Sequence, residues 1–437
     1  MRVLFTTWAW PAHYFPMVPM AWAVRAAGHD VRMTSQPSLL PTMRASALPS
    51  TPVGRDVDVA TVFRTTRAQV RPAESELRPD PDRPSPRRSN RYSDRMAARV
   101  DSPDLELGYR ALRELEDEAI LMFQAFLAER AKTKASTLSL YGDVAEAMVD
   151  DLLAFAKSWR PDLIVFDALT YAGPIVAKLL GIPAVRSLFG PDVTYFTSTI
   201  GLAELLDKYG LEDLDLLGVS SVDSCPPGLQ LPHDIAPTRR LHTQYVPYNG
   251  LAEIPAWIPD QPKRPRIVLT WGTSMEGRIG EQGFLPGELL LGCTKLADER
   301  DAELILAITA SQVPLLPRDL PPYVRVVESV PLNALLPTCT AVVHQGGAGT
   351  MQHALRHGVP QLVLTQLFDQ AANAFQLVAA GAGKTLPVAG LEASDLLAAG
   401  HALLDDPAYR AGAQRLQHQM LDQPTPAEVV DDLLALA

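Results

Sequence analysis

The chain has 437 residues and a formal charge of −11, from 39 basic and 50 acidic side chains. With 47% hydrophobic and 20% charged residues it can bury sizeable cores, which excludes a wholly disordered chain. The acidic balance, with no long basic run, excludes nucleic-acid binding driven by charge. Cys225, Cys293 and Cys339 lie far apart in sequence, in neither a disulfide framework nor a zinc spacing, and are expected as reduced thiols of a cytoplasmic protein. The opening residues lack the apolar core and small-residue cleavage site of a secretory signal, and no apolar stretch is long enough to span a membrane.

In chain order, Arg2–Trp8 reads as a buried strand, Pro16–Ala27 as a helix stopped by Gly28, and His29–Ser35 as the next strand. Strand, helix and strand in so short a stretch make a βαβ unit and hence a parallel sheet. The same grammar returns in helix Val144–Trp159, strand Asp162–Asp167, helix Tyr171–Leu180 and strand Ala184–Leu188. In the C-terminal half, Arg266–Trp271, Glu303–Ile308, Val324–Val327, Ala341–His344 and Gln361–Thr365 read as strands with helical stretches between most of them. The length admits two or three domains, and the pattern predicts α/β architecture with two doubly wound, Rossmann-like domains. Between them, Tyr245–Arg264 carries four prolines and little periodicity, as a linker would. Residues 64–99 break the pattern, with ten arginines, five prolines and five acids. They read as a charged insertion loop, or as a lid or docking surface. The following Leu105–Lys132 is amphipathic.

Ligands of open parallel sheets bind beyond the carboxyl ends of the strands. In the N-terminal half those ends are followed by His13 and Asp167, and in the C-terminal half by Gly272-Thr273-Ser274, by His344 with the glycine run Gly346-Gly347-Ala348-Gly349, and by Gln366, Asp369 and Gln370. Glycines let backbone amides approach a ligand, and a helix starting near Thr350 would aim its positive end at the same place, which suits a phosphate. A plain strand–helix turn is the bland alternative. A dinucleotide fingerprint is weakened by Gln352, where helix–strand packing wants Gly or Ala. In the other half, a helix N-terminus would keep His13 neutral and able to accept a proton, with Asp167 orienting its ring. Trp8, Trp10, Tyr14 and Phe15 around His13 suit a flat, apolar acceptor, or equally a core. His29, His233, His242, His353, His357, His401 and His418 read as surface or structural. No metal site is expected, since His353 and His357, four apart, lack the Glu of a zincin motif.

His344-Gln345-Gly346-Gly347-Ala348-Gly349-Thr350, Gly358-Val359-Pro360-Gln361 and Phe368-Asp369-Gln370-x-x-Asn373-Ala374 resemble the nucleotide-sugar signature of family 1 glycosyltransferases, two-domain GT-B enzymes. Met1–Gly28 with His13, Arg160–Asp167, Leu188–Asp192, Tyr245–Gly250 and Leu335–Cys339 are similar to one branch, the actinomycete deoxysugar transferases that decorate macrolide and aromatic polyketide antibiotics. The resemblance covers nearly the whole chain apart from about 65–140. It implies an acceptor-binding domain over 1–244, a linker over 245–264, a donor-binding domain over 265–423, and a last helix over 424–437 crossing back to the first domain. It implies His13 as the base and Asp167 as its orienter. His344 and the turn Gly346, Gly347, Gly349 and Thr350 would hold the diphosphate, helped by Ser274. Val330 would meet the nucleobase, and Asp369 and Gln370 the sugar. The implied reaction is an inverting, metal-free transfer from a dTDP- or UDP-sugar to a macrolide or aromatic aglycone, with no cofactor. A cytochrome-P450-like auxiliary protein docking at the arginine-rich insertion, and a homodimer, are further partner expectations of the resemblance; nucleic acid and membrane are not. Relatives usually carry an aromatic where this chain has Ser329. Competing readings are a nucleotide-sugar 2-epimerase on the same fold, an oxidoreductase, and a non-catalytic partner of a transferase, which would be expected to lose His13 or the glycine run.

Overall fold

The computed structural model describes residues 1–58, 137–192, 194, 202–230, 238–258, 262–272, 285–366, 368–388 and 390–437. Seven strands form the first sheet: β1 (Arg2–Thr6), β2 (Asp30–Ser35), β3 (Ser50–Pro52), β4 (Leu163–Asp167), β5 (Ala184–Ser187), β6 (Ser220–Asp223) and β7 (Arg240–His242). Their order is β3-β2-β1-β4-β5-β6-β7, and every neighbouring pair is parallel. Six strands form the second: β8 (Arg266–Thr270), β9 (Glu303–Ile308), β10 (Val324–Glu328), β11 (Ala341–His344), β12 (Gln361–Thr365) and β13 (Gly383–Pro387). Their order is β10-β9-β8-β11-β12-β13, again all parallel. Chain direction across the sheet reverses between β1 and β4, and again between β8 and β11. These are the switch points where a doubly wound sheet opens a crevice.

Alternation along each strand feeds two cores. Val3 and Phe5 of β1 pack with Met17, Val24 and Met33 on one face, while Leu4 packs with Val144, Met148 and Ile164 on the other. In the second sheet, Ile267 and Leu269 meet Leu289 and Leu296, while Val268 meets Ile305 and Leu335. The chain ends by crossing over. Gln423 Nε2 donates to Thr243 O at 2.5 Å and Gln244 N to Pro424 O at 2.7 Å. The helix Val430–Leu434 then buries Val430, Leu433 and Leu434 against the Met17, Val18 and Met20 region of the first core.

One expectation changes. The helix foreseen over Pro16–Ala27 is preceded by a separate helical turn, Pro11–Tyr14, then a 3₁₀ turn Phe15–Met17, and runs only over Val18–Ala26. Pro11, Pro16 and Pro19 each fit a first helical turn and cannot donate further along one. The strands β3, β6, β7 and β13 carry no apolar run that would announce them. The arginine-rich residues 64–99 and the stretch Leu105–Lys132, with the docking surface expected there, lie outside the described residues. All three cysteines are buried free thiols. Among the described residues no helix is long and apolar enough to cross a membrane, and no His, Cys, Asp and Glu cluster could hold a metal.

Leu433 is fully buried in a core made mostly by residues more than three hundred positions earlier. Leu433→Ala is expected to destabilise the fold by about 2–5 kcal/mol, measured as a lower midpoint in urea unfolding. A midpoint unchanged from wild type would show that the crossing helix adds no stability.

Candidate active site

His13 follows β1, and Asp167 ends β4, its neighbour in the sheet. Parallel pairing therefore brings the two to the same edge. His13 Nδ1 lies 2.8 Å from Asp167 Oδ1. The other carboxylate oxygen accepts Leu169 N at 3.1 Å and Thr170 Oγ1 at 2.9 Å. Thr170 Oγ1 in turn accepts Trp8 N at 2.9 Å. An ionised carboxylate can only accept, so Nδ1 is the donor, and in the neutral ring the lone pair is on Nε2. No described residue bonds Nε2. Asp167 is 1% exposed and His13 7%, so the pair is sheltered without being sealed. The ring stands between the edges of Trp8 (centroids 5.2 Å apart) and Phe189 (4.5 Å). His13 lies inside the turn Pro11–Tyr14, not ahead of a helix as expected. Its orientation comes from Asp167 and two aromatic edges, not from a helix terminus.

The four aromatics foreseen beside the base separate. Trp10 stacks on Trp8 at 5.1 Å and 7°, and Trp8 meets the edge of Tyr141 at 5.8 Å. Trp8 and Phe189 flank the His13 ring, and Trp10 and Tyr141 pack on Trp8. Tyr14 is a correction. It is fully buried on the opposite face of the sheet, where its hydroxyl shares a 2.6 Å hydrogen bond with Ser46 Oγ, and burial pushes its pKa up to about 12. The next residue along a helix is rotated by roughly 100°, so Tyr14 cannot face where His13 faces. Phe15 turns to the linker, 5.6 Å from the ring of Tyr248.

On the second sheet, His344 ends β11 and the chain turns through Gly346 into the helix Ala348–Arg356. Gly346 has φ +91°, and a Cβ there would lie 2.9 Å from Val363 Cγ1 and 3.1 Å from Gln370 O. Only glycine fits both the backbone and the space. Asn373 Nδ2 donates to Gly346 O at 2.9 Å, pinning the turn. Gly347 is the N-cap and supplies no side chain, so the first helical amides, those of Ala348, Gly349 and Thr350, are uncapped. Nothing stands within 4 Å of a Cβ placed on Gly349, so the start of the helix is open. Uncapped amides at an open helix start form an anion site.

His344 is placed differently from the direct diphosphate contact expected of it. Nδ1 accepts Gly346 N at 3.1 Å and Nε2 donates to Gln361 Oε1 at 2.8 Å. It is 0% exposed, and burial pulls its pKa down to about 4. It is a neutral strut under the glycine turn. Gln370 is also turned inward, buried, with Oε1 accepting Gln366 N at 2.9 Å. Asp369 is half-buried in the first turn of Phe368–Ala379. Val330 packs its side chain into the core below β10, after Ser329, whose φ of +49° is strained for a non-glycine residue. Ser274 lies outside the described residues. Thr170, Gln361 and Phe189 had been given no role. Thr170 carries a readable signal, a hydroxyl three residues after Asp167. Gln361 meets His344 only through the β11–β12 register.

The two edges face each other. Gln352 of the helix Ala348–Arg356 donates to Phe189 O at 2.8 Å, and a Cβ on Gly190 would lie 2.7 Å from Ala348 Cβ. A proton acceptor on one sheet thus opposes an anion site on the other.

Comparison with known proteins agrees with that geometry. Residues 22–82 and 98–272 match the family model "Erythromycin biosynthesis protein CIII-like, N-terminal domain", and 293–436 match its C-terminal domain. The chain is 34% identical over 458 residues to 10-deoxymethynolide desosaminyltransferase of Streptomyces venezuelae, covering 100% of this chain and 97% of that one. It is 32% identical to aclacinomycin-T 2-deoxy-L-fucose transferase of Streptomyces galilaeus, covering 98% and 94%. Among solved structures it is similar to the glycosyltransferase VinC in complex with dTDP (TM-score 0.70, 28% identity, 100% and 99% covered) and to the spinosyn rhamnosyltransferase SpnG with thymidine diphosphate (0.72, 27%, 99% and 100%). The chain belongs to the erythromycin biosynthesis protein CIII-like family, antibiotic glycosyltransferases of family 1 with the GT-B fold.

Proposed function

We propose that this enzyme moves a deoxysugar from a dTDP-sugar to a hydroxyl of a macrolide or aromatic polyketide aglycone, with inversion at the anomeric carbon. The observation that carries the reading is the His13–Asp167 pair, set opposite an uncapped helix start. Residues 1–244 are taken as the acceptor domain and 265–423 as the donor domain, joined by 245–264.

His13 Nε2 accepts the acceptor proton as the oxygen attacks the anomeric carbon. The new C–O bond forms on the face opposite the phosphate, whose own C–O bond breaks. Asp167 Oδ1 accepts the Nδ1 hydrogen bond and stabilises the imidazolium, while its second oxygen, held by Leu169 N and Thr170 Oγ1, fixes the carboxylate in place. The charge gathering on the departing diphosphate is met by the amides of Ala348, Gly349 and Thr350 and the positive end of their helix, in place of a metal ion. Trp10, backed by Trp8 and Tyr141, offers the acceptor a flat apolar face. Support for dTDP as the carrier comes from the similar structures that hold it.

Removing the base leaves the anion site untouched. His13→Ala is expected to lower transfer by about 10²–10⁴-fold, while dTDP affinity measured by calorimetry stays within about twofold. Parallel loss of both would remove His13 from the role of base.

His344 sets a pH dependence. Its folded pKa of about 4 lies below the value of about 6.5 in an unfolded chain. Between those values the unfolded chain binds the extra proton, so stability is complete above about pH 6.5 and declines as pH falls towards 4, by at most about 1.4 kcal/mol per unit for one histidine. His353 and His357 are displaced in the same direction by burial. His344→Gln is expected to flatten the slope of stability against pH between about 6.5 and 4 by one proton; an unaltered slope would place that proton elsewhere.

A further inference from the structure

Gln352 is fully buried, yet its side chain leaves its own domain. Nε2 donates to Phe189 O at 2.8 Å, and Oε1 lies 3.4 Å from Ser224 Oγ. Both partners belong to loops at the carboxyl edge of the first sheet, after β5 and β6. Phe189 is the residue whose ring stands 4.5 Å from that of His13. One side chain therefore links the helix at the anion site to the aromatic that holds the base.

The Phe189 loop has little room to absorb a shift. On its near side, Gly190 and Ala348 approach so closely that a methyl group would not fit. On its far side, Asp192 is clamped by the buried Arg186, Nη2 to Oδ2 at 2.5 Å, while Asp192 N donates to Gln230 Oε1 at 2.7 Å. A displacement at Phe189 O is then passed to the ring, and from the ring to His13. Transfer needs the base and the anomeric carbon aligned closely, so this linkage bears on rate.

We propose that Gln352 is a positioning residue for the transfer reaction: its amide ties the donor-side helix to the Phe189 loop and thereby sets the place of the His13 ring. The proposal rests on His13 being the base. It assigns no contact with substrate to Gln352.

The test uses full-length protein with isotope-labelled histidine, the His13 ring signal being identified by its loss in His13→Asn. Gln352→Leu removes the donor. Gln352→Met keeps the length and has no donor, and stands in if the leucine variant does not fold. In both, the His13 signal is expected to move in the direction seen in Phe189→Leu, and Gln352→Leu with Phe189→Leu together to move it no further than the larger single change. Affinity for dTDP by calorimetry stays within about twofold, and with a transferable sugar and acceptor kcat falls at least about tenfold at nearly constant donor KM. An unmoved His13 signal in a folded Gln352 variant overturns the proposal. A tenfold or greater loss of dTDP affinity in the Gln352 variants, on the order of 1.4 kcal/mol, overturns it too, by making Gln352 a donor contact. If wild-type protein binds no dTDP, the donor reading fails by itself, and the His13 signal still decides the tether.

Discussion

The parallel pairing of β1 with β4 is the constraint on which the His13–Asp167 pair rests. It places Phe5 beside Val165 and Thr6 beside Phe166, so the loop after β1 emerges next to the end of β4. Only then can His13 and Asp167, 154 residues apart, meet at 2.8 Å. An antiparallel neighbour would send the two ends to opposite edges of the sheet. The bonds to Asp167 follow from the same placement. Trp8 N reaches Thr170 Oγ1, which reaches the carboxylate, so the backbone leaving β1 is stitched to the turn leaving β4. The carboxylate of the dyad is thus tied into the sheet edge.

How much of this was legible follows from which forces are local. Strands with apolar runs, such as Glu303–Ile308, Ala341–His344 and Gln361–Thr365, stand where hydrophobicity places them. The strands Ser220–Asp223 and Arg240–His242 do not look like strands, since pairing with neighbours, not composition, makes them so. His13 and Asp167 were readable as partners because strand ends of a parallel sheet share an edge. Tyr14 was misread because sequence proximity to His13 says nothing about direction on a helical turn. His344 was located correctly beside the glycine turn, but its bond to Gln361 depends on a register no local pattern reports. Gln352 was visible only as a misfit to a dinucleotide fingerprint. The reason for an amide there lies across the cleft, on Phe189.

Buried charge surrounds Asp192, five residues beyond the end of β5. Arg186 and Asp192 are both about 1% exposed, with Arg186 also donating to Ser221 and Thr194, and Asp223 accepting from Gln230 and Cys225 N. Arg240 lies 3.6 Å from Asp223 and 3.9 Å from Asp192. Burial lowers the pKa of Arg186 and raises that of Asp223, while the opposite charges nearby act against both shifts. Such a network is a weak source of stability, because desolvation offsets most of its Coulomb energy. Its consequence is geometric. Losing any one member strands a buried charge, so the arrangement is held as a whole, and Phe189 to Asp192 with it.

The sheets' units touch in two places. Along the crossing chain, Val429, Val430, Leu433 and Leu434 are buried, and Tyr245 joins Met351 and Leu355 while His353 is bonded to Asn249 at 3.1 Å. Each fully buried apolar side chain contributes about 1.5–3 kcal/mol relative to exposure. At the cleft, the Gln352 amide and the close approach of Gly190 to Ala348 stand beside an apolar cluster in which Cys225 and Leu229 pack with Met351, Leu355 and Leu416, and Gly228 N donates to Gln419 Oε1 at 2.8 Å. A neutral hydrogen bond contributes only about 0.5–1.5 kcal/mol net, because water replaces it when it breaks. A single buried amide at the cleft is therefore a small part of what holds the two units together, and what it adds is direction.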